Sequence, residues 1–195
     1  MSGNLLKYNS KNPLQRYLIN RFLSRIYVIL KSLYFKNLLD VGCGEAIALK
    51  ALLDKGIKSD KITGVDINKK AIAYAKKNIP DARFVVSDIR SLPFKSKAFD
   101  LVICLETLEH IHECKKALEE IMRVSNKYII ISVPWEPFFS LSNFLRLKNI
   151  PLLGKDPEHI NFWTKASFIR FLGEGNLKIE KHEIVFPWQL VLIKK

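Results

Sequence analysis

Apolar residues recur along this chain in two rhythms. Leu14, Leu18, Phe22 and Ile26 follow at four-residue spacing, with Ile29 and Leu33 continuing the stripe, a period that predicts a long amphipathic helix. Its start is marked by Asn12, Pro13 and Gln15: an asparagine cap, a proline at the first helical position and a glutamine placed to reach back. From residue 38 the rhythm changes to short apolar runs separated by helical segments. Strand "LLDVG" leads into helix "AIALKALLDKG", which ends at a glycine suited to a C-cap. Strand "KITGVDI" precedes helix "KKAIAYAKKN", for which Asn68 is the cap. Strands "RFVVSD" and "FDLVICLE", a helix through "ECKKALEEIMRVS" and strand "YIIISVP" follow. Runs this continuous, alternating with helices, predict an α/β domain with a parallel sheet buried on both faces. Helix "TKASFIRFLGEGN" then leads to "LKIEKHEIVF" and "WQLVLIKK", joined through Pro187 and expected to pair as an antiparallel edge.

The 195 residues, 48% of them hydrophobic, suffice for one well-buried core. No apolar run approaches the roughly 20 residues needed to span a bilayer, and "MSGNLLKYNS" lacks the residue order of a secretory signal. A cytoplasmic location is therefore expected. Cys43, Cys104 and Cys114 have no metal-ligand spacing and are odd in number, so all three are read as reduced thiols. The net charge of +13 suggests nucleic acid or an acidic membrane as a partner, but only 8 of the 32 basic residues are arginine. Scattered lysine is better read as a solvated surface. One asymmetry survives: the first 39 residues carry Lys7, Lys11, Arg16, Arg21, Arg25, Lys31 and Lys36 and no acid.

The strand-turn-helix at "NLLDVGCGEAIALKALL" makes Gly42 and Gly44 candidates for a nucleotide loop, where a ligand approaches bare backbone at a helix start. A dinucleotide fingerprint would need a small residue at position 47, which is Ile47. Asp40, two residues ahead of Gly42, would repel a pyrophosphate and attract a cation. Here "LLDVGCGEA" resembles the first motif of the class I, Rossmann-like S-adenosylmethionine-dependent methyltransferases, with Ala46 where a third glycine commonly stands. Asp66, ending "GVDI", falls where that family places an acid on the ribose hydroxyls, and "SDI" (87–89) resembles its adenine site. Residues 92–111 look like its fourth-strand region, so the resemblance covers at least residues 37–133. Singly, Asp40, Asp66 and Asp88 each suit a turn or a helix cap. Together at strand ends beside a glycine loop, they point to one ligand edge.

The resemblance implies a seven-stranded, mostly parallel sheet with an antiparallel C-terminal edge strand, helices on both faces and a small helical lid. It implies S-adenosyl-L-methionine as cofactor, S-adenosyl-L-homocysteine as product, and Asp40, Gly42, Cys43, Gly44, Asp66, Ile67, Asp88, Ile89, Leu105 and Glu106 as the binding set. Residues 1–195 read as one domain: a cap helix region (1–36), a cofactor core (37–133), a lid and acceptor insertion (134–163), and a C-terminal helix and hairpin (164–195).

His110, in "LETLEHI", is a candidate base near the transferred methyl group, and also suits a helix start. His159 is a second candidate base. Glu106, Glu109 and His110 resemble a divalent-metal cluster of ubiquinone-pathway O-methyltransferases, but "LEH" occurs in many relatives without metal, so no metal is assigned. No N/D-P-P-Y/F/W motif of the amino-group enzymes follows the fourth strand, and Cys104 lacks the Pro-Cys context of the cytosine-5 enzymes. Trp135, Phe138, Phe139, Phe144, Phe162 and Trp163 lie in the long segment after the fifth strand, as the wall of an acceptor cavity or as a satellite core. The chain resembles type 11-like small-molecule methyltransferases, and the aromatic insertion, with no appended RNA-binding domain expected, favours a small or lipid-like acceptor. RNA methylation through the basic surface and a non-catalytic binding role stay open, as does membrane-surface contact through residues 13–33. The acceptor, O- against N-methylation and the oligomeric state are left open.

Overall fold

The computed structural model describes Tyr8, residues 10–174 and residues 177–195. Lys7 of the basic N-terminus, and Gly175 and Asn176 of the expected helix tail, lie outside the described residues. Helix α1 (Pro13–Lys31) begins as its sequence predicts, with Asn12 accepting from the Gln15 N–H. Then come β1 (Asn37–Val41), α2 (Ile47–Asp54), β2 (Lys61–Asp66), α3 (Lys69–Asn78), β3 (Arg83–Val86), β4 (Phe99–Leu105), α4 (Cys114–Val124) and β5 (Ser125–Pro134). The chain closes with α5 (Phe138–Leu145), α6 (Lys165–Gly173), β6 (Ile179–Val185) and β7 (Trp188–Lys194), and with 3-10 turns at Leu108–His110 and Ile150–Leu152. Asn68 caps α3 through the N–H groups of Lys70 and Ala71.

The seven strands form one sheet in the order β3-β2-β1-β4-β5-β7-β6. The first five are parallel, and β7 runs antiparallel to both β5 and β6. The antiparallel strand thus sits one place inside the rim, and β6 is the edge. Strand order reverses between β1 and β4, which opens a crevice at their carboxyl ends where open α/β sheets bind ligands.

Alternation along each strand divides the core in two. Leu38, Leu101, Ile103 and Ile130 face one layer with Leu49 and Leu52 of α2 and Phe22 and Ile26 of α1. Leu39, Val41, Val102, Ile129 and Ile131 face the other, with Leu118 and Ile121 of α4 and Phe168 and Leu172 of α6. Helix α1 is fastened by Phe22, whose ring lies 4.8 Å from that of Trp188, and by an Arg25–Glu183 ion pair to β6. Leu14, expected on the buried stripe, is 53% exposed. It stands in the first turn, where Gln15, Leu18 and Ile19 border a cavity.

All three cysteines are free thiols, Cys104 buried within β4. Among the described residues no helix is long and apolar enough to cross a membrane.

Candidate active site

The loop between β1 and α2 is hung from the neighbouring strand by its own backbone. The N–H groups of Gly42 and Cys43 donate to the Val65 carbonyl at 2.8 and 2.9 Å, and the Gly44 N–H donates to Asp66 Oδ2 at 2.8 Å. Gly42 (φ +72°) and Gly44 (φ +52°) adopt left-handed backbone, and a Cβ on Gly42 would lie 2.3 Å from the Thr107 methyl group. Glycine is therefore required at 42 twice over, by conformation and by space. Ala46, at the position of the missing third glycine, is also left-handed (φ 58°) and buried. Its cost is backbone strain, about 1–2 kcal/mol for an L-residue.

Two cavities open from this loop. The larger, about 1060 Å³, is lined by Gly42, Gly44, Asp66, Ile67, Asn68, Glu106 and Thr107, by Glu109, His110, Phe139 and His159, and by Arg146, Lys148, Asp156, Glu158 and Trp188. The smaller, about 40 Å³, is lined by Tyr8, Asp40, Cys43, Glu45, Leu105 and Glu106. Gly42, Glu45 and Glu106 border both, so the two spaces meet at the glycine loop.

Of the predicted binding set, Gly42, Gly44, Asp66, Ile67 and Glu106 line the large cavity, while Asp40, Cys43 and Leu105 line the small one. Burial, then the charge of Asp66, pushes the Asp40 carboxyl up to about 7. Burial also pushes up the Cys43 thiol and, with the charges of Glu106 and Asp40, the Tyr8 phenol. Asp88 and Ile89 are not brought to either cavity. Asp88 is engaged by Arg90, whose Nη2 and Nε donate to it at 2.7 and 3.0 Å and whose backbone N–H adds a third bond, and these bonds hold its carboxyl below the usual range. Ile89 is buried in the second core layer.

The two candidate bases meet. The His110 and His159 rings are 4.9 Å apart, edge to face, and Phe139 lies 5.4 Å from His159. His110 Nδ1 lies 3.0 Å from the Glu158 carbonyl. One donor atom each from Glu109, His110 and His159 fall within 4.8 Å of one another, a set able to hold a divalent cation. It differs from the trio suggested by "LETLEH": His159 takes the place of Glu106.

Of the six lid aromatics, Phe139 alone lines the large cavity. Trp163 is a core residue, 5.6 Å from both Phe168 and Phe171. Trp135 stacks on Phe138 at 4.2 Å, and Phe144 and Phe162 border a separate groove. Sequence reasoning missed Tyr8, Thr107 and Trp188 as cavity residues. Thr107 was within reach, because a glycine that must stay bare implies a close neighbour.

Residues 39–129 match the family model described as "Methyltransferase domain". Over 107 residues the chain is 33% identical to a ubiquinone biosynthesis O-methyltransferase of Rickettsia canadensis, covering 54% of this chain and 43% of the relative. Over 202 residues it is 24% identical to the mitochondrial arginine-hydroxylase NDUFAF5 of Danio rerio, covering 99% of this chain and 62% of that one. The chain thus spans about half the length of these curated relatives. Its fold is similar to the crystal structure of magnesium protoporphyrin IX methyltransferase from Synechocystis PCC 6803 with bound SAH, at TM-score 0.73 and 18% identity, covering 98% of this chain and 91% of that one. Sheet order, glycine loop and family match agree: residues 39–129 are similar to a methyltransferase domain, on a fold shared with class I S-adenosylmethionine-dependent methyltransferases.

Proposed function

We propose that this protein transfers a methyl group from S-adenosylmethionine to an oxygen or nitrogen of a small-molecule or lipid-like acceptor. The observation that carries the reading is one continuous cavity of about 1060 Å³ joining the glycine loop and Asp66 to His110 and His159. Single-ligand pockets run to roughly 300–1,000 Å³, so this space suits a cofactor and an acceptor side by side.

The residues present fit the cofactor. A loop without side chains at Gly42 and Gly44 admits close approach, Asp66 keeps lone pairs for a ribose diol, and Asp40, once it has shed its proton, lends negative charge to a cationic ligand. When bound, S-adenosylmethionine supplies an electrophilic methyl carbon on a sulfonium. The chain's part is placement and proton handling: Phe139 helps close the acceptor end, and His110 or His159 takes the proton that the acceptor sheds. Glu109 stands within reach of both rings, able to steady an imidazolium or to complete a cation site. Activity that is equal in chelator and in magnesium would remove the metal role. Three free thiols suit a reducing compartment such as the cytoplasm.

RNA as acceptor draws on the net charge of +13. Against it, Glu45, Glu106, Glu109, Asp156 and Glu158 ring the cavity, a poor lining for phosphodiesters. The test adds methyl-labelled S-adenosylmethionine and purified protein to a cell extract and follows the label through nuclease treatment and organic extraction. Nuclease-resistant label in a small-molecule or lipid fraction supports the proposal. Label lost to nuclease transfers the function to RNA, and failure to bind S-adenosylhomocysteine leaves only a non-catalytic role. Since one relative is named a hydroxylase, label transfer is also what separates methylation from other chemistry on this fold.

A further inference from the structure

The segment from α5 to residue 155 displays apolar side chains where a folded domain ordinarily hides them. Leu145, Leu147 and Leu153 are 72%, 79% and 72% exposed, and Leu141, Phe144 and Leu152 are between 39% and 49% exposed. Singly exposed apolar residues are ordinary, but a contiguous cluster marks an interaction surface. Three of these residues meet in space: Leu141, Phe144 and Leu153 line, with Phe162, a groove of about 450 Å³.

The display is built into the backbone. Leu147 and Leu153 hold left-handed conformations (φ 57° and 50°), which leucine rarely adopts, and Gly154 at φ +80° packs so tightly that a Cβ would lie 1.9 Å from the Ser140 carbonyl oxygen. Asn143 Nδ2 donates to the Gly154 carbonyl at 3.0 Å and pins the return of the segment to α5. Strained residues persist only where their surroundings hold them, and they concentrate at functional surfaces.

Charge says what the surface meets. Residues 137–155 contain Arg146, Lys148 and Lys155, the acids Glu136, Asp156 and Glu158 standing just outside them, and Lys155 Nζ lies 5.4 Å from the Phe162 ring. The first turns of α1, from the acid-free start of the chain, border the same large cavity as Arg146 and Lys148. Leu14 and Tyr17, 53% and 60% exposed, stand in those turns beside Arg16. Leucines flanked by bases match an interface of acyl chains and anionic headgroups. We infer that residues 138–155 dock on the surface of an anionic lipid bilayer, with Leu145, Leu147 and Leu153 entering the headgroup layer. A second copy of the chain would bring the same bases against each other, which is why the bilayer is the better occupant. The docking does not depend on methyl transfer.

The experiment is co-sedimentation of the whole chain with phosphatidylglycerol vesicles and with phosphatidylcholine vesicles, for the wild type and for the triple variant Leu145→Asp, Leu147→Asp, Leu153→Asp. Expected are wild-type binding to phosphatidylglycerol that weakens with salt, binding to phosphatidylcholine at least tenfold weaker, and a tenfold or greater loss in the variant. Calorimetry with S-adenosylhomocysteine runs alongside. Equal cofactor affinity in both proteins shows that the variant is folded and its cavity intact, and absent affinity in both counts against the methyl-transfer reading alone. A wild type that ignores phosphatidylglycerol, or a variant that binds it as well as wild type does, overturns the docking. So does a wild-type dimer, in sedimentation equilibrium, that the variant splits without any vesicle binding.

Discussion

The Asp66 carboxylate accepts the Gly44 N–H at 2.8 Å through Oδ2 and the Asn68 N–H at 2.8 Å through Oδ1, so one side chain ties the glycine loop to the start of α3. Each oxygen keeps a lone pair directed elsewhere. Asp66→Ala removes the tether of the loop and, on the proposed reading, an acceptor for the ribose. Hydrogen bonds to charged groups are worth about 1.5–3 kcal/mol, so S-adenosylhomocysteine should bind roughly 10- to 100-fold more weakly by calorimetry. Unchanged affinity would mean that the ribose lies elsewhere.

Asp40 governs a pH dependence whose sign is fixed by its burial. Its carboxyl titrates at about 7 in the folded chain against an ordinary 3.8, so between those values the native state holds a proton that the unfolded state has lost. Stability contributed at this site therefore falls as pH rises from about 4 to about 7 and then levels off. Asp40→Asn should be more stable than wild type at pH 8 by roughly 2–4 kcal/mol and nearly equal to it at pH 4, read from urea melts. Wild type should also bind the cationic cofactor more tightly at pH 8 than at pH 6, and the variant should lose that trend.

His110 and His159 are predicted to act on turnover and not on cofactor capture. Replacing the one that takes the proton by Ala should slow label transfer about 10²- to 10⁴-fold while S-adenosylhomocysteine affinity holds in both variants. Loss in one variant alone would name the base. Loss in both, restored by added divalent cation, would favour the metal arrangement of Glu109, His110 and His159.

How much of this site the sequence discloses depends on how local each relationship is. Asp40, Gly42 and Gly44 are readable because their spacing is set by one strand and one turn, and Asp66 because the next strand is parallel and adjacent. The Asp88–Arg90 ion pair is hidden: two residues apart in an ordinary loop, the arginine signals nothing until the backbone turns it onto the carboxylate. Tyr8 is hidden for another reason, since no spacing rule links a residue ahead of α1 to Asp40. His159 could be nominated singly, but its meeting with His110 requires a lid whose return is pinned at Gly154, a tertiary contact. In the fold, every element expected from periodicity is present, while the insertion of β7 between β5 and β6 depends on pairing partners that no local pattern names.

The Arg25–Glu183 pair joins α1 to the edge strand, and hydrogen bonding from Arg25 holds the Glu183 carboxyl down at about 2. A carboxylate depressed in this way stabilises the fold above its ordinary value, 4.5, and loses that contribution as pH falls toward 2. Arg25→Ala should cost about 1–2 kcal/mol at pH 7, a figure reduced for partial exposure, and almost nothing at pH 2. Urea melts at the two pH values check it.

The order of the last two strands bears on how the chain is made. On the ribosome β6 is synthesised before β7, yet among the described residues its sheet neighbour is β7 alone, so for that interval none of the described strands is there to join it. An unpaired apolar strand would recruit other nascent chains. Glu180, Lys181 and Glu183 along β6 supply the charge that discourages such pairing, so its polar sequence serves the newborn chain as well as the finished edge.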